Sequence, residues 1–147
     1  MFCFQCEQTS KGTGCTEFAT CGKDENSAIL QDLLIHATKG IAQYNHRARQ
    51  LGAQDRQVDR FILEALFATV TNVNFDSERL AETLQQAARV RDTAKRLYQD
   101  AAAKAGKSIE ELSGAATWTP AEDVPGLVQQ GEMVSVLSRR DRFGPDA

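Results

Sequence analysis

Cys3, Cys6, Cys15 and Cys21 are the only cysteines in the chain, and they stand within its first twenty-one residues in the spacing C-x2-C-x8-C-x5-C. Four thiols in so short a stretch need something to gather them: a disulfide pair, a zinc ion or an iron–sulfur cluster. Thiolates are soft, charged ligands for iron and zinc, and a bound metal keeps them deprotonated at neutral pH. Glycines at 12, 14 and 22 punctuate the stretch. Backbone without a Cβ can approach inorganic sulfide closely and donate N–H groups to it, and such bonds together with burial set a cluster's potential. Phe2, Phe4 and Phe18 are candidates for an apolar shield.

Zinc competes. Structural zinc sites usually draw on two close ligand pairs separated by a longer arm. Cys3 and Cys6 make one such pair, but Cys15 and Cys21 stand five residues apart, outside the usual interval. The pattern also departs from the common ferredoxin spacings. Spacing therefore favours a cluster without identifying it, and a zinc-stapled binding or assembly module stays open as the alternative.

The elements that must position this loop read as helices. Leu30, Leu34, Ala37, Ile41, Tyr44, Ala48 and Leu51 recur in steps of four and three, the seam of one long helix. Asp24, Glu25 and Asn26 offer caps before it and Gly52 a stop after it. A second helix is expected from about Arg56 to Thr71 after Asp55, with an apolar face of Val58, Phe61, Ile62, Ala65, Leu66, Thr69 and Val70. Thr71 to Asn74 break it. The third starts at the Asp76 cap, with Phe75 and Leu80 spaced as a hydrophobic staple. It carries Leu84, Ala87, Ala94, Leu97, Tyr98 and Ala101 inward and ends near Gly106.

The expected fold is thus all-α, a three-helix up-down bundle (26–106) behind a cysteine-rich loop (1–25) that binds a cluster. Residues 107–147 read as a loop-rich, partly disordered segment, with one helical turn at Ser108 to Leu112 and a solvated tail holding Arg139, Arg140 and Arg142. The whole is one domain.

Composition bounds the function. With 147 residues, 17 Lys and Arg against 20 Asp and Glu, and a net charge of −3, the chain lacks the basic stripe of a nucleic-acid binder. It shows neither a bilayer-spanning apolar run nor a signal sequence, so a cytoplasmic protein without membrane contact is expected. Thiols there seldom form lasting disulfides. A chain of this length buries roughly 70% of its unfolded surface, so a metal is not needed merely to fold it. His36 and His46 lie off the seam and read as edge residues rather than ligands. Lys11 and Lys23 flank the loop and read as surface lysines, Trp118 and Tyr98 as packing residues, and the acid pairs Glu110-Glu111 and Glu122-Asp123 as solvated helix ends.

Several stretches resemble one family. Phe2-Cys-Phe-Gln-Cys-Glu-Gln-Thr, Gly12-Thr-Gly-Cys-Thr, Cys21-Gly-Lys, Leu30-Gln-Asp-Leu-Leu, Val58-Asp-Arg-Phe-Ile and Leu66-Phe-Ala-Thr-Val-Thr-Asn-Val-Asn-Phe-Asp are similar to the N-terminus of the hybrid cluster (prismane) proteins, densely so from Met1 to about Leu97. The short cysteine spacing resembles the form with a 4Fe–4S cubane. The resemblance implies that Cys3, Cys6, Cys15 and Cys21 are its ligands, and that a redox partner protein donates electrons. It also implies an oxidoreductase, assigned as a hydroxylamine reductase and linked to nitric oxide reduction. There the N-terminal cluster feeds a second, hybrid cluster held by later domains. Those ligands are not expected here, since no cysteine follows Cys21, and the residues after Leu137 do not resemble the family's continuation.

Overall fold

The computed structural model describes residues 3, 6, 14–16, 19–70 and 75–144. Among the described residues five α-helices and one 3-10 turn follow in order: α1 (Glu25–Gln50), α2 (Arg56–Val70), α3 (Ser77–Lys104), the turn at Gly114–Thr117, α4 (Val124–Val134) and α5 (Val136–Phe143). No strand occurs among the described residues, only an isolated bridge in the cysteine loop.

Aspartates start the first three helices. Asp24 accepts from the Ser27 N–H at 2.6 Å, Asp55 from Gln57 and Val58, and Asp76 from Glu78 and Arg79. Each satisfies backbone donors that the helix itself leaves unpaired. Gly52 (φ +79°) and Gly106 (φ +63°) adopt the left-handed backbone that closes α1 and α3.

The core forms around α1, which packs against α2, α3, α4 and the 3-10 turn. Its seam residues Leu30, Leu34, Ala37, Ile41, Tyr44 and Ala48 are all buried. The Ser27 hydroxyl donates to the Phe75 carbonyl just before α3, and further along the Tyr44 and Tyr98 rings meet at 6.5 Å. Helices α1 and α3 therefore run side by side in the same sense. The end of α1 meets the start of α2, where Asp59 accepts from Asn45 at 2.8 Å and from Arg49. The inward face of α2 is narrower than its pattern suggests: Val58, Phe61, Ala65 and Thr69 are buried, while Leu66 and Val70 are exposed.

Beyond Lys107 the chain is more ordered than its loop-rich composition predicts. Ser108 to Leu112 are not helical, and the short helical turn comes later, at Gly114–Thr117. Two helices follow; the second, α5, buries none of its residues, so Arg139, Arg140 and Arg142 are solvated as expected but stand on a helix rather than a loop. Pro125 sits in the first turn of α4, where its missing N–H costs nothing, and Asp123 caps that helix through the Gly126 N–H. Leu127 is fully buried in the main core. Polar straps fix the connection. Gln85 donates to the Ala121 carbonyl, Arg91 to the Trp118 carbonyl, and Gln130 bonds both Thr119 and Ala121. Two glycines permit the closest approaches: a Cβ on Gly40 would run into the Ala115 carbonyl, and one on Gly131 would meet Ile29 Cγ2 at 2.5 Å.

Candidate metal centre

All four cysteines are free thiols, but the loop treats them as two kinds. Cys3 and Cys15 are buried and paired through an antiparallel bridge, in which the Cys15 N–H donates to the Cys3 carbonyl at 2.9 Å. With Ala19 and Ala28 they make a small apolar cluster of their own. Ala28 belongs to the first turns of α1, so the capped start of that helix is the floor of the loop. Cys6 and Cys21 are exposed. Cys21 lies in a turn closed by the Gly22 N–H on the Ala19 carbonyl, and Gly22 (φ +85°) supplies the left-handed backbone this turn requires. Gly14 (φ +96°) does the same immediately before Cys15.

Lys23 is not the surface lysine its sequence position suggests. Only 3% of it is exposed. Its Nζ donates to Gln31 Oε1 at 2.6 Å and sits 5.7 Å from the centre of the Phe75 ring. Sequence reasoning could not find this burial, because the contacts come from the second turn of α1 and from the approach to α3.

The sequence model of a family described as Prismane/CO dehydrogenase matches residues 1–131. The chain belongs to that family. It is 49% identical to a hydroxylamine reductase from Rhodospirillum rubrum over 146 residues, covering 99% of this chain and 27% of that protein. It is 47% identical to one from Acidithiobacillus ferrooxidans over 150 residues, with the same coverage. A hydroxylamine reductase from Geobacter sulfurreducens is 45% identical over 133 residues, which is 89% of this chain and 24% of the relative. The chain thus spans about a quarter of the length of the curated relatives it matches. The first two matches extend well past Leu97, where the visible resemblance thins, and so take in the helices after Lys107.

Among the described residues of this prismane-family chain, no group of three or more His, Cys, Asp and Glu side chains could hold a metal ion. The loop supplies the donor chemistry of a thiolate-bound cluster: four free thiols, two anchored side by side and two at its surface. Phe2, Phe4, Phe18, Lys11 and Gly12 lie outside the described residues.

The other expected residues are accounted for by structure. His46 is exposed and His36 half-buried, and neither joins a metal-binding group among the described residues. Glu110 pairs with Arg47 at 2.8 Å, and the Tyr98 hydroxyl accepts from the Glu110 N–H. Trp118 packs at the edge of the core. Arg140 and Arg142 are exposed on α5, Arg140 pairing with Asp141 and Arg142 lying over the Phe143 ring. No helix among the described residues is long and apolar enough to cross a membrane.

One feature gave no sequence signal. A cleft of about 320 Å³ opens between α1 and the α4–α5 corner, lined by Asp32, His36, Lys39 and Arg139 beside apolar residues. Burial, then the charges of Lys39 and Arg139, holds His36 below the usual imidazole range. Burial likewise raises the Asp32 carboxyl, opposed by Lys23, the Val136 N–H and Lys39. The cleft is lined from three helices, α1, α4 and α5, and only folding brings its residues together.

Proposed function

We propose that Cys3, Cys6, Cys15 and Cys21 hold a 4Fe–4S cluster and that this chain is an electron-transfer module of the prismane family. The observation that carries the reading is the paired, buried Cys3 and Cys15 on the start of α1, with two further free thiols at the loop surface. When bound, such a cluster takes up and releases single electrons. The chain's own residues do the rest. The bridge between Cys3 and Cys15 fixes two ligands against Ala28, and the turn from Ala19 to Gly22 presents Cys21. The loop lies at the start of α1, with Cys6 and Cys21 exposed where a donor protein can reach them. A cytoplasmic setting keeps unligated thiols reduced.

The relatives' name supplies the wider role. Reducing hydroxylamine to ammonia and water takes two electrons and two protons, and a one-electron relay delivers the electrons singly. The reduction itself belongs to the remaining domains of the longer family proteins, because this chain has no cysteine beyond Cys21 with which to build a second cluster. The chain alone is expected to reduce no hydroxylamine, and steady ammonia formation by it would contradict the assignment.

Serine substitution at each cysteine in turn tests the ligand set. After anaerobic reconstitution with iron and sulfide, every single variant should retain less iron than the parent chain and lose visible absorption. A Cys6 or Cys21 variant that keeps full iron and colour would remove that residue from the set. Uptake of one zinc by a colourless parent chain would favour the zinc-stapled module instead.

A further inference from the structure

Lys23 offers the loop a charge held in place. Burying a lysine is costly, and such residues are almost never found fully buried without a partner. Here the side chain is 3% exposed, bonded to the buried Gln31 and set over the Phe75 ring. Phe75 is in turn tied to α1 by the bond from Ser27 to its carbonyl. Gln31 follows Ala28 by three residues on α1, and side chains so spaced are neighbours on one helix face. Ala28 packs with Cys3 and Cys15. The amine is thus tied to the helix face that also carries Ala28, and it follows Cys21 by two residues in the chain.

We propose that Lys23 tunes the reduction potential of the cysteine loop: its buried positive charge stabilises the reduced cluster, which carries one more negative charge than the oxidised one. The inference rests on the cluster reading above and adds to it a residue that ligates nothing. Net charge near a cluster and its burial are among the factors that set its potential, and a charge in a dry setting acts more strongly than one in water. The field of Lys23 is also felt at Asp32, the residue after Gln31. A lysine in solvent at the same sequence position would be screened and free to swing away.

The test is a mediated dithionite titration of the iron-loaded 147-residue chain, followed by electron paramagnetic resonance. Lys23→Met should bind as much iron as the parent. At the parent's midpoint, its ratio of oxidised to reduced cluster should rise about tenfold, the size expected of one partly screened charge. That corresponds to a midpoint about 59 mV lower for a one-electron couple. Lys23→Arg should stay within about twofold of the parent, since the charge is kept. A Lys23→Met chain with full iron and the parent's midpoint would overturn the proposal. If Lys23→Met fails to load, Lys23→Gln, which keeps a donor toward Gln31, carries the same measurement. Failure of both neutral variants to load, with Lys23→Arg loading normally, would assign the lysine to assembling the loop and also overturn it. A parent chain that takes up no iron would overturn the cluster reading itself, and this inference with it.

Discussion

At the scale of single residues, the folded chain carries an acid-sensitive weakness at His36. Its imidazole is held below the usual value of 6.5, first by burial and then by Lys39 and Arg139. Between the folded and unfolded values the unfolded chain binds more protons, so stability is full above 6.5 and is lost as pH falls through the folded value. Asp32 titrates in the opposite sense, because its raised carboxyl gives stability that fades as pH rises. Urea midpoints should therefore fall between about pH 7.5 and about pH 5.5, and His36→Gln should flatten that part of the slope. An unchanged slope would mean the imidazole is not held low. The four cysteines were legible because their types and spacing are themselves the signal. Neither the cleft around His36 nor the burial of Lys23 was, since each depends on residues from separate helices meeting after folding.

The elements depend on their caps and close contacts. Asp76 accepts two backbone N–H bonds at the start of α3, so Asp76→Ala should cost about 1 kcal/mol in chemical denaturation. Gly131 faces Ile29, whose carbonyl oxygen would lie 2.7 Å from an added Cβ. Gly131→Ala should cost about 1–3 kcal/mol through the backbone shift it forces, and a neutral result would show that α4 does not sit tightly on α1. Helices α1 to α3 were readable because their seams repeat over many turns and each follows an aspartate. Helices α4 and α5 were not. Pro125, Gly126 and Gly131 read as breakers, yet Pro125 stands in a first turn and Gly131 is small because another helix lies against it. The width of the α2 face misled in the other direction, for periodicity marks Leu66 and Val70 as apolar but cannot say that neither is covered.

On the scale of the whole molecule, α1 joins the cysteine loop to the core. Its first turns floor the cysteine loop through Ala28, and its later turns carry the core on which α2, α3 and α4 pack. A loop so anchored can gather ligands without the metal having to hold the fold together. Membership of the prismane family and the four free thiols are what support the proposed cluster relay, in which the chemistry on hydroxylamine would fall to the rest of the longer relatives. The most direct measurement is iron and acid-labile sulfide analysis of the anaerobically reconstituted chain, with electron paramagnetic resonance before and after dithionite. A 4Fe–4S relay should give a brown protein with about four irons and four sulfides per chain, and a paramagnetic signal that appears on reduction. A colourless chain holding one zinc, with no signal in either state, would contradict it.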